Sequence, residues 1–220
     1  MIVYGSTASP FVQRVLMAAR AKGHDLVVQP PPGGMRSPEF QAISPMCRIP
    51  LLELDDGRHL CESDAIASYL DETLTGPRLL PDDAFARGRV RALIALANEV
   101  AAGMRPLMVH LVFRMGDAPE VVAAARQQLA AGLDAIERFR NADDTCAIGE
   151  TLTQADCLLV PILTLARVVD AQAETWHPVR EHPGIAAYYD RVADTDPARR
   201  SIDEITTGFA EILARNANAA

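Results

Sequence analysis

Leu52, Leu54 and Leu60 alternate with polar residues on either side of Asp56-Gly57. A period of two around a pair that tolerates positive φ predicts a β-hairpin with these leucines on one face. Directly after it, Ile66, Tyr69 and Leu70 recur at helical spacing, so Glu62-Ser63-Asp64 opens a helix running to about Leu74. The hydroxyl and two carboxylates there are residue types that cap a helix start. Upstream, Ile2-Val3-Tyr4 is a short β-favouring run, followed by the turn formers Gly5 to Pro10. Val12, Val15, Leu16, Ala18 and Ala19 then predict a helix over Phe11 to Lys22, with Ser9 as N-cap, Pro10 at the first helical position and Gly23 as stop. Asp25 to Gln29 forms a second strand. Pro30-Pro31-Pro32-Gly33-Gly34 is irregular, and Ser37-Pro38-Glu39-Phe40 starts a short helix.

Thr75 to Asp83 breaks the pattern, and beyond it no segment has strand character. Helices are predicted over Ala84 to Met115, with a kink at Pro106 and a stop at Gly116, then over Pro119 to Phe139, Thr151 to Val169, Pro183 to Ala193 and Ile202 to Ala214. The element order gives an α/β domain of thioredoxin type over residues 1–76, a linker over 77–84 and an all-helical domain over 85–220. Thr153, with Asp156 three residues on, forms a capping box in which Asp replaces the usual Glu or Gln, and Leu152 is placed to staple onto Cys157.

The chain of 220 residues is 49% hydrophobic, enough for two buried cores. Its formal charge of −8 disfavours nonspecific binding to nucleic acid or to an anionic membrane. Lys22 is the only lysine; every other cationic side chain is arginine. Cys47, Cys61, Cys146 and Cys157 make no C-x-x-C pair or zinc spacing, and the five histidines are scattered, so no metal site is expected. The sequence shows no run of eighteen apolar residues, and the N-terminus lacks the pattern of a secretion signal, so the expected location is cytoplasmic.

Ile49-Pro50 before the first hairpin strand, with Glu62-Ser63 after the second, resembles the glutathione-binding half of the cytosolic glutathione S-transferase superfamily. Ser9-Pro10-Phe11-Val12-Gln13-Arg14-Val15, followed by Lys22-Gly23, resembles the omega-class pattern, with Ser where that class has its catalytic Cys; zeta, theta and many bacterial members use serine there. The capped helix at Thr153 is similar to a signature of the family's helical domain, so the resemblance covers nearly the whole chain.

The resemblance implies a cis Ile49-Pro50 peptide, the Ile49 backbone against the cysteinyl part of glutathione, Glu62 and Ser63 on the γ-glutamyl end, and Arg48, with Arg36 as a weaker candidate, on the glycyl carboxylate. Phe11 belongs to the same binding surface, whereas Asp64 supports the helix start. Glutathione reacts as a thiolate, and its thiol, like that of cysteine, has an unperturbed pKa of about 8.5. A hydroxyl donor at the start of a helix lowers it. Ser9 is the candidate, with Ser6 and Thr7 as rivals, while the ordinary role of Ser9 would be an N-cap. An acidic protein that binds this anion must recruit local positive potential. Cys47 departs from the family pattern and is read as a packing residue rather than a second thiol of the site.

Met104, Met108, Leu111 and Met115 share one helical stripe, which either belongs to the core or lines a second-substrate pocket. Arg105 and Arg114 interrupt that helix and could face an acidic substrate, solvent or a dimer partner. The implied activity is that of a homodimeric glutathione transferase whose bound thiolate attacks a small, mostly hydrophobic electrophile, with glutathione as co-substrate. The alternatives are a glutathione-dependent isomerase or lyase, a thiol-disulfide role that Ser9 counts against, and a nonenzymatic interaction protein of the same fold. Zeta-type maleylacetoacetate isomerases carry Ser-Ser-Cys where this chain has Ser9-Pro10-Phe11, which counts against that one isomerase.

Overall fold

The computed structural model describes residues 1–113, 115–172 and 176–219, with side chains in the last helix up to Arg215. The first part is a four-stranded sheet in the order β2-β1-β3-β4, from β1 (Ile2–Tyr4), β2 (Val27–Gln29), β3 (Leu51–Glu53) and β4 (His59–Cys61). β1 runs parallel to β2 and antiparallel to β3, with Tyr4 opposite both Gln29 and Leu51. Leu52 pairs with Leu60, and Leu51 pairs with Cys61. α1 (Pro10–Ala21) and α3 (Ser63–Thr73) cover the sheet, and α2 (Pro38–Ile43) is a short helix between β2 and β3.

The remainder is helical: α4 (Ala84–Leu107), α5 (Pro119–Phe139), α6 (Gln154–Gln172), α7 (Pro183–Ala193) and α8 (Asp196–Ala219). α1 serves both parts. Val12, Val15, Leu16 and Ala19 pack with Val3, Leu52, Ile66 and Leu70 in the sheet's core. Met17 and Ala18 belong instead to the larger core built around α4, α5 and α6. Lys22, buried at the end of α1, ties the junction by pairing with Asp71 at 3.0 Å and donating to the Pro77 carbonyl at 2.9 Å. α4 and its extension are long and apolar enough to cross a membrane, yet half of the apolar stretch is buried inside the protein as a core helix.

Two elements differ from their sequence expectations. Pro106 lies inside α4, and the helix widens after it into a π-helical turn over Met108–Val112, in which the Phe113 N–H reaches the Met108 carbonyl. α8 begins at Asp196 rather than at Ile202. Its first turns bury Ala198 and Ser201, small residues that carry no signal in a hydrophobic pattern.

Candidate functional site

The strand register brings three loops to one end of the sheet. Tyr4 closes β1, Leu51 opens β3 and Cys61 closes β4, and these three residues are cross-strand neighbours. Gly5–Ser9, Arg48–Pro50 and Glu62–Ser63 therefore emerge side by side. Gly5 permits the close approach, because a Cβ there would lie 2.5 Å from Val12 Cγ2 and 3.6 Å from Ile49 Cβ. The Ile49-Pro50 peptide is cis.

Ser9 is the N-cap of α1, but its Oγ accepts the Val12 N–H at 3.5 Å, a long bond, and among the described residues the hydroxyl donates to nothing. Its proton is thus available to a ligand. Ser6 and Thr7 are exposed on the same loop, and Ser6 Oγ accepts the Ala8 N–H at 3.3 Å. Phe11 is partly exposed, with the Arg14 guanidinium 5.2 Å from its ring centre.

At the start of α3 the expected side-chain cap is absent. Glu62 occupies the N-cap position with φ 68° and ψ 119°, and among the described residues no side chain accepts the first N–H groups. A non-glycine residue held at positive φ costs about 1–3 kcal/mol and persists only where its surroundings over-determine it. The result is a helix start whose donors and positive end stay open to an anion. Ser63 beside it is buried, whereas the Glu62 side chain is exposed.

Behind Ser63 lies a residue that sequence reasoning passed over as a site residue. Arg14 is 1% exposed. Its Nε donates to the Leu158 carbonyl at 2.9 Å, and one guanidinium nitrogen reaches Asn98 Oδ1 at 2.7 Å and both Ser63 Oγ and Asp64 Oδ1 at 3.4 Å. Asn98 Nδ2 in turn donates to Asp64 Oδ2 at 2.6 Å. Burial pulls the Arg14 pKa down to about 10, and the Asp64 carboxylate opposes the shift, so the group stays charged at neutral pH. The cation is held behind Ser63, with the Asp64 carboxylate as its partner at 3.4 Å. The available signal was a guanidinium in the middle of α1, next to the apolar run Val15 to Ala19.

Arg48 is exposed, with its N–H and carbonyl both bonded to Ser44 Oγ at 3.2 Å, which aims its backbone from the loop before Ile49. Arg36 is exposed in the loop that leaves β2 at this end of the sheet. Cys47, with φ 48°, is half-buried.

The methionine stripe requires correction. Met104 is 1% and Met108 7% exposed; both sit in the main core, with Leu111 packed on its edge, so Met104 and Met108 do not form a pocket wall. The π-helical turn ends at Val112, so Met115 lies beyond the helix and is exposed. Arg105 is exposed, and Arg114 lies outside the described residues.

Away from this end, Asp156 at the start of α6 is fully buried. It accepts from the Thr153 and Ala147 N–H groups at 2.8 and 2.7 Å, the Thr153 hydroxyl at 2.8 Å and the Tyr188 hydroxyl at 2.9 Å. The box is therefore not reciprocal, since the Thr153 hydroxyl donates to the carboxylate. Burial pushes the Asp156 carboxyl up, and the four donors pull against that shift. Among the described residues no cluster of side chains could hold a metal.

The glutathione S-transferase N-terminal domain family matches residues 3–78 and the C-terminal domain family matches residues 119–191. Maleylacetoacetate isomerase of Pseudomonas aeruginosa is 30% identical over 207 residues, covering 90% of this chain and 94% of that protein. The mouse protein of that name is 32% identical over 166 residues, 73% of this chain and 75% of its own. A holo structure of maleyl pyruvate isomerase, described as a bacterial zeta-class glutathione S-transferase, superposes with a TM-score of 0.75 at 28% identity, covering 93% of this chain and 98% of that one. A glutathione S-transferase of Methylobacillus flagellatus KT with glutathione bound shares the fold, with a TM-score of 0.77 at 22% identity, over 91% and 98% of the two chains. With both domains matched in order, and with the cis-proline loop and the open start of α3 at one end of the sheet, the chain belongs to the cytosolic glutathione S-transferase superfamily and is a glutathione-using enzyme of it.

Proposed function

We propose that the three-loop end of the sheet binds glutathione and activates its thiol through Ser9. The observation that carries this is the pairing of an N-cap hydroxyl with no acceptor of its own and a helix start with no cap of its own, on neighbouring loops. The γ-glutamyl carboxylate meets the N–H groups at the start of α3 together with Ser63 Oγ, and Glu62 takes the amine. Charge-assisted bonds of this kind are the stronger ones. The Ile49 backbone meets the cysteinyl unit, Arg48 and Arg36 face the glycyl carboxylate, and Phe11 flanks the sulfur. The Ser9 hydroxyl then donates to the thiolate, while the positive end of α1 favours the same charge.

The thiolate attacks an electrophilic carbon of a small substrate. The isomerase relatives favour a second outcome at the same site: the sulfur adds to an activated alkene, the resulting enolate permits rotation about the former double bond, and elimination returns the thiolate. Ser9-Pro10-Phe11 departs from Ser-Ser-Cys, so the substrate is an activated alkene of this class rather than that named one. The working form is a cytoplasmic homodimer; exposed Phe85 and Phe139, on α4 and α5, offer it an apolar surface.

Two measurements test this. Retention on immobilised glutathione separates an enzyme from a nonenzymatic relative, and passage through the column without retention overturns the proposed site. Glutathione balance during turnover of cis-configured α,β-unsaturated keto acids then separates the outcomes: one glutathione consumed per product means conjugation, none consumed means isomerisation.

A further inference from the structure

The loop that carries Ser9 is gripped from the far end of the chain. Gln13, fully buried on α1, uses one side-chain amide for three contacts: its Nε2 donates to the Thr7 carbonyl at 2.5 Å and to Glu204 Oε2 at 2.7 Å, and its Oε1 accepts from Arg20 at 3.3 Å. Arg20 also reaches Glu204 Oε1 at 2.6 Å, which closes the set. An amide is nearly symmetric in shape, and turned over it would point oxygen at the Thr7 oxygen. The Arg20–Glu204 pair selects the orientation in which N–H faces Thr7. Four residues further along α8, Gly208 lies against the same loop: a Cβ there would fall 2.3 Å from Ala8 Cβ and 3.0 Å from Ala8 Cα.

We propose that α8 is the strut that sets the thiol-activating loop, with Glu204 and Gly208 as its positioning residues. Glu204 acts through Gln13 on the Thr7 carbonyl, two residues before Ser9, and Gly208 fixes how deep Ala8 sits. Inside the loop, the Ser9 N–H bonds to the Ser6 carbonyl at 2.9 Å, so a shift at Thr7 or Ala8 is passed to Ser9. Neither residue touches glutathione. The inference rests on the proposal that this loop activates the thiol, and it adds that α8 decides where the hydroxyl stands. A misplacement of about 1 Å at a reacting group can cost about a hundredfold in rate, so a small strut has a large lever.

The test uses the full chain with Glu204→Ala, Glu204→Gln, Gly208→Ala and the pair Gly208→Ala with Ala8→Gly. Thiolate absorbance of bound glutathione is titrated against pH, and kcat and KM for glutathione are measured separately. Glu204→Ala and Gly208→Ala should raise the bound-thiol pKa by about one unit and lower kcat at neutral pH about tenfold, with KM for glutathione within about twofold, because the γ-glutamyl contacts lie on other loops. Glu204→Gln has one acceptor oxygen where the carboxylate has two, so it keeps a partner for Gln13 only by turning its NH2 on Arg20, and should fall between native and Glu204→Ala. Ala8→Gly should restore much of what Gly208→Ala loses. A native bound-thiol pKa and kcat in folded Glu204→Ala and Gly208→Ala overturn the proposal. Hydrogen exchange over residues 5–13 without ligand is the arm independent of glutathione: faster exchange in Glu204→Ala supports the strut, and unchanged exchange overturns it. If Ser9→Ala leaves the bound-thiol pKa native while Glu204→Ala raises it, Ser9 fails as the donor and the strut stands, acting through Ser6 or Thr7.

Discussion

α3 and α6 both begin with a carboxylate in the first turn, and the protein finishes the two starts in opposite ways. At α6 the Asp156 carboxylate is buried and accepts four hydrogen bonds from Thr153, Ala147 and Tyr188. At α3 the Asp64 carboxylate turns sideways to Arg14 and Asn98, the N-cap Glu62 contributes no cap, and the first N–H groups stay open. One start is closed by the chain itself; the other has no side-chain acceptor among the described residues. α1 lies between them, with a cap at 3.5 Å that leaves the Ser9 proton free. Similar residue types thus serve stability where every group is satisfied and binding where some are not.

The closed start should show the largest effect. Asp156→Ala leaves two backbone N–H groups and two hydroxyls without an acceptor in a dry core, and each such orphan costs about 1–3 kcal/mol before relaxation. Chemical denaturation should show a loss of about 3–5 kcal/mol, well above the roughly 1 kcal/mol of an ordinary cap. Glutathione affinity of the surviving folded protein should not move. A loss of binding at native stability would place Asp156 in the site and erase the contrast.

Ser9→Ala comes next, at an open start. Removing a charge-assisted donor to the thiolate should raise the bound-thiol pKa toward about 8.5 and cut turnover at neutral pH about ten- to hundredfold, the equivalent of about 1.4–2.7 kcal/mol. The long cap bond implies little loss of stability. An earlier melting temperature with an unchanged bound-thiol titration would make Ser9 a cap only.

Ser63→Ala, at the other open start, should weaken glutathione binding by about 1–3 kcal/mol, since it removes a hydrogen bond to a charged group while the Arg14 cation stays in place. Calorimetric titration with glutathione gives the number. An unchanged dissociation constant would mean that the N–H groups of α3 hold the carboxylate without the hydroxyl.

The two starts were not equally legible in the sequence. The hairpin, the helix after it and the Thr153–Asp156 box are short-range patterns, in which the partners lie within a few residues of one another. The openness of α3 was not legible, because it depends on Arg14 drawing Asp64 away, and the partners of Arg14 at Ser63, Asn98 and Leu158 come from three distant helices. The Gln13–Glu204 contact spans the chain in the same way. The methionine stripe misled because a helical period marks an apolar face without saying whether that face meets the core or a pocket, and Met104 and Met108 meet the core. Ala198 and Ser201 hid the start of α8 by being small.

The smallest effect separates the two starts by pH. Cys146 and Cys157 are buried near Asp156; burial, and then the Asp156 charge, push the Cys146 thiol up to about 12 and the Cys157 thiol well above its ordinary value. Tyr188 is raised for the same two reasons. The half-buried Cys47, in the loop before β3, and Cys61, at the end of β4, lie at the open end. An acid whose folded pKa lies above its unfolded pKa holds its proton in the native state after the unfolded chain has released it. The unfolded state then binds fewer protons, and stability falls as pH rises. The window opens near the ordinary thiol value, about 8.5, and extends toward 12 for Cys146. Within it each buried thiol contributes a downward slope of at most about 1.4 kcal/mol per pH unit, with Tyr188 joining above pH 10. Well below about pH 8.5 these groups are neutral in both states and contribute no slope. The measurement is denaturant unfolding from pH 8 to 10.5 of the native chain and of Cys146→Ala with Cys157→Ala. The native curve should fall more steeply above pH 9, and a thiol reagent should label Cys47 and Cys61 long before the buried pair. Parallel curves for the two proteins would mean that the closed start of α6 admits water, which would undo the distinction between the two helix starts.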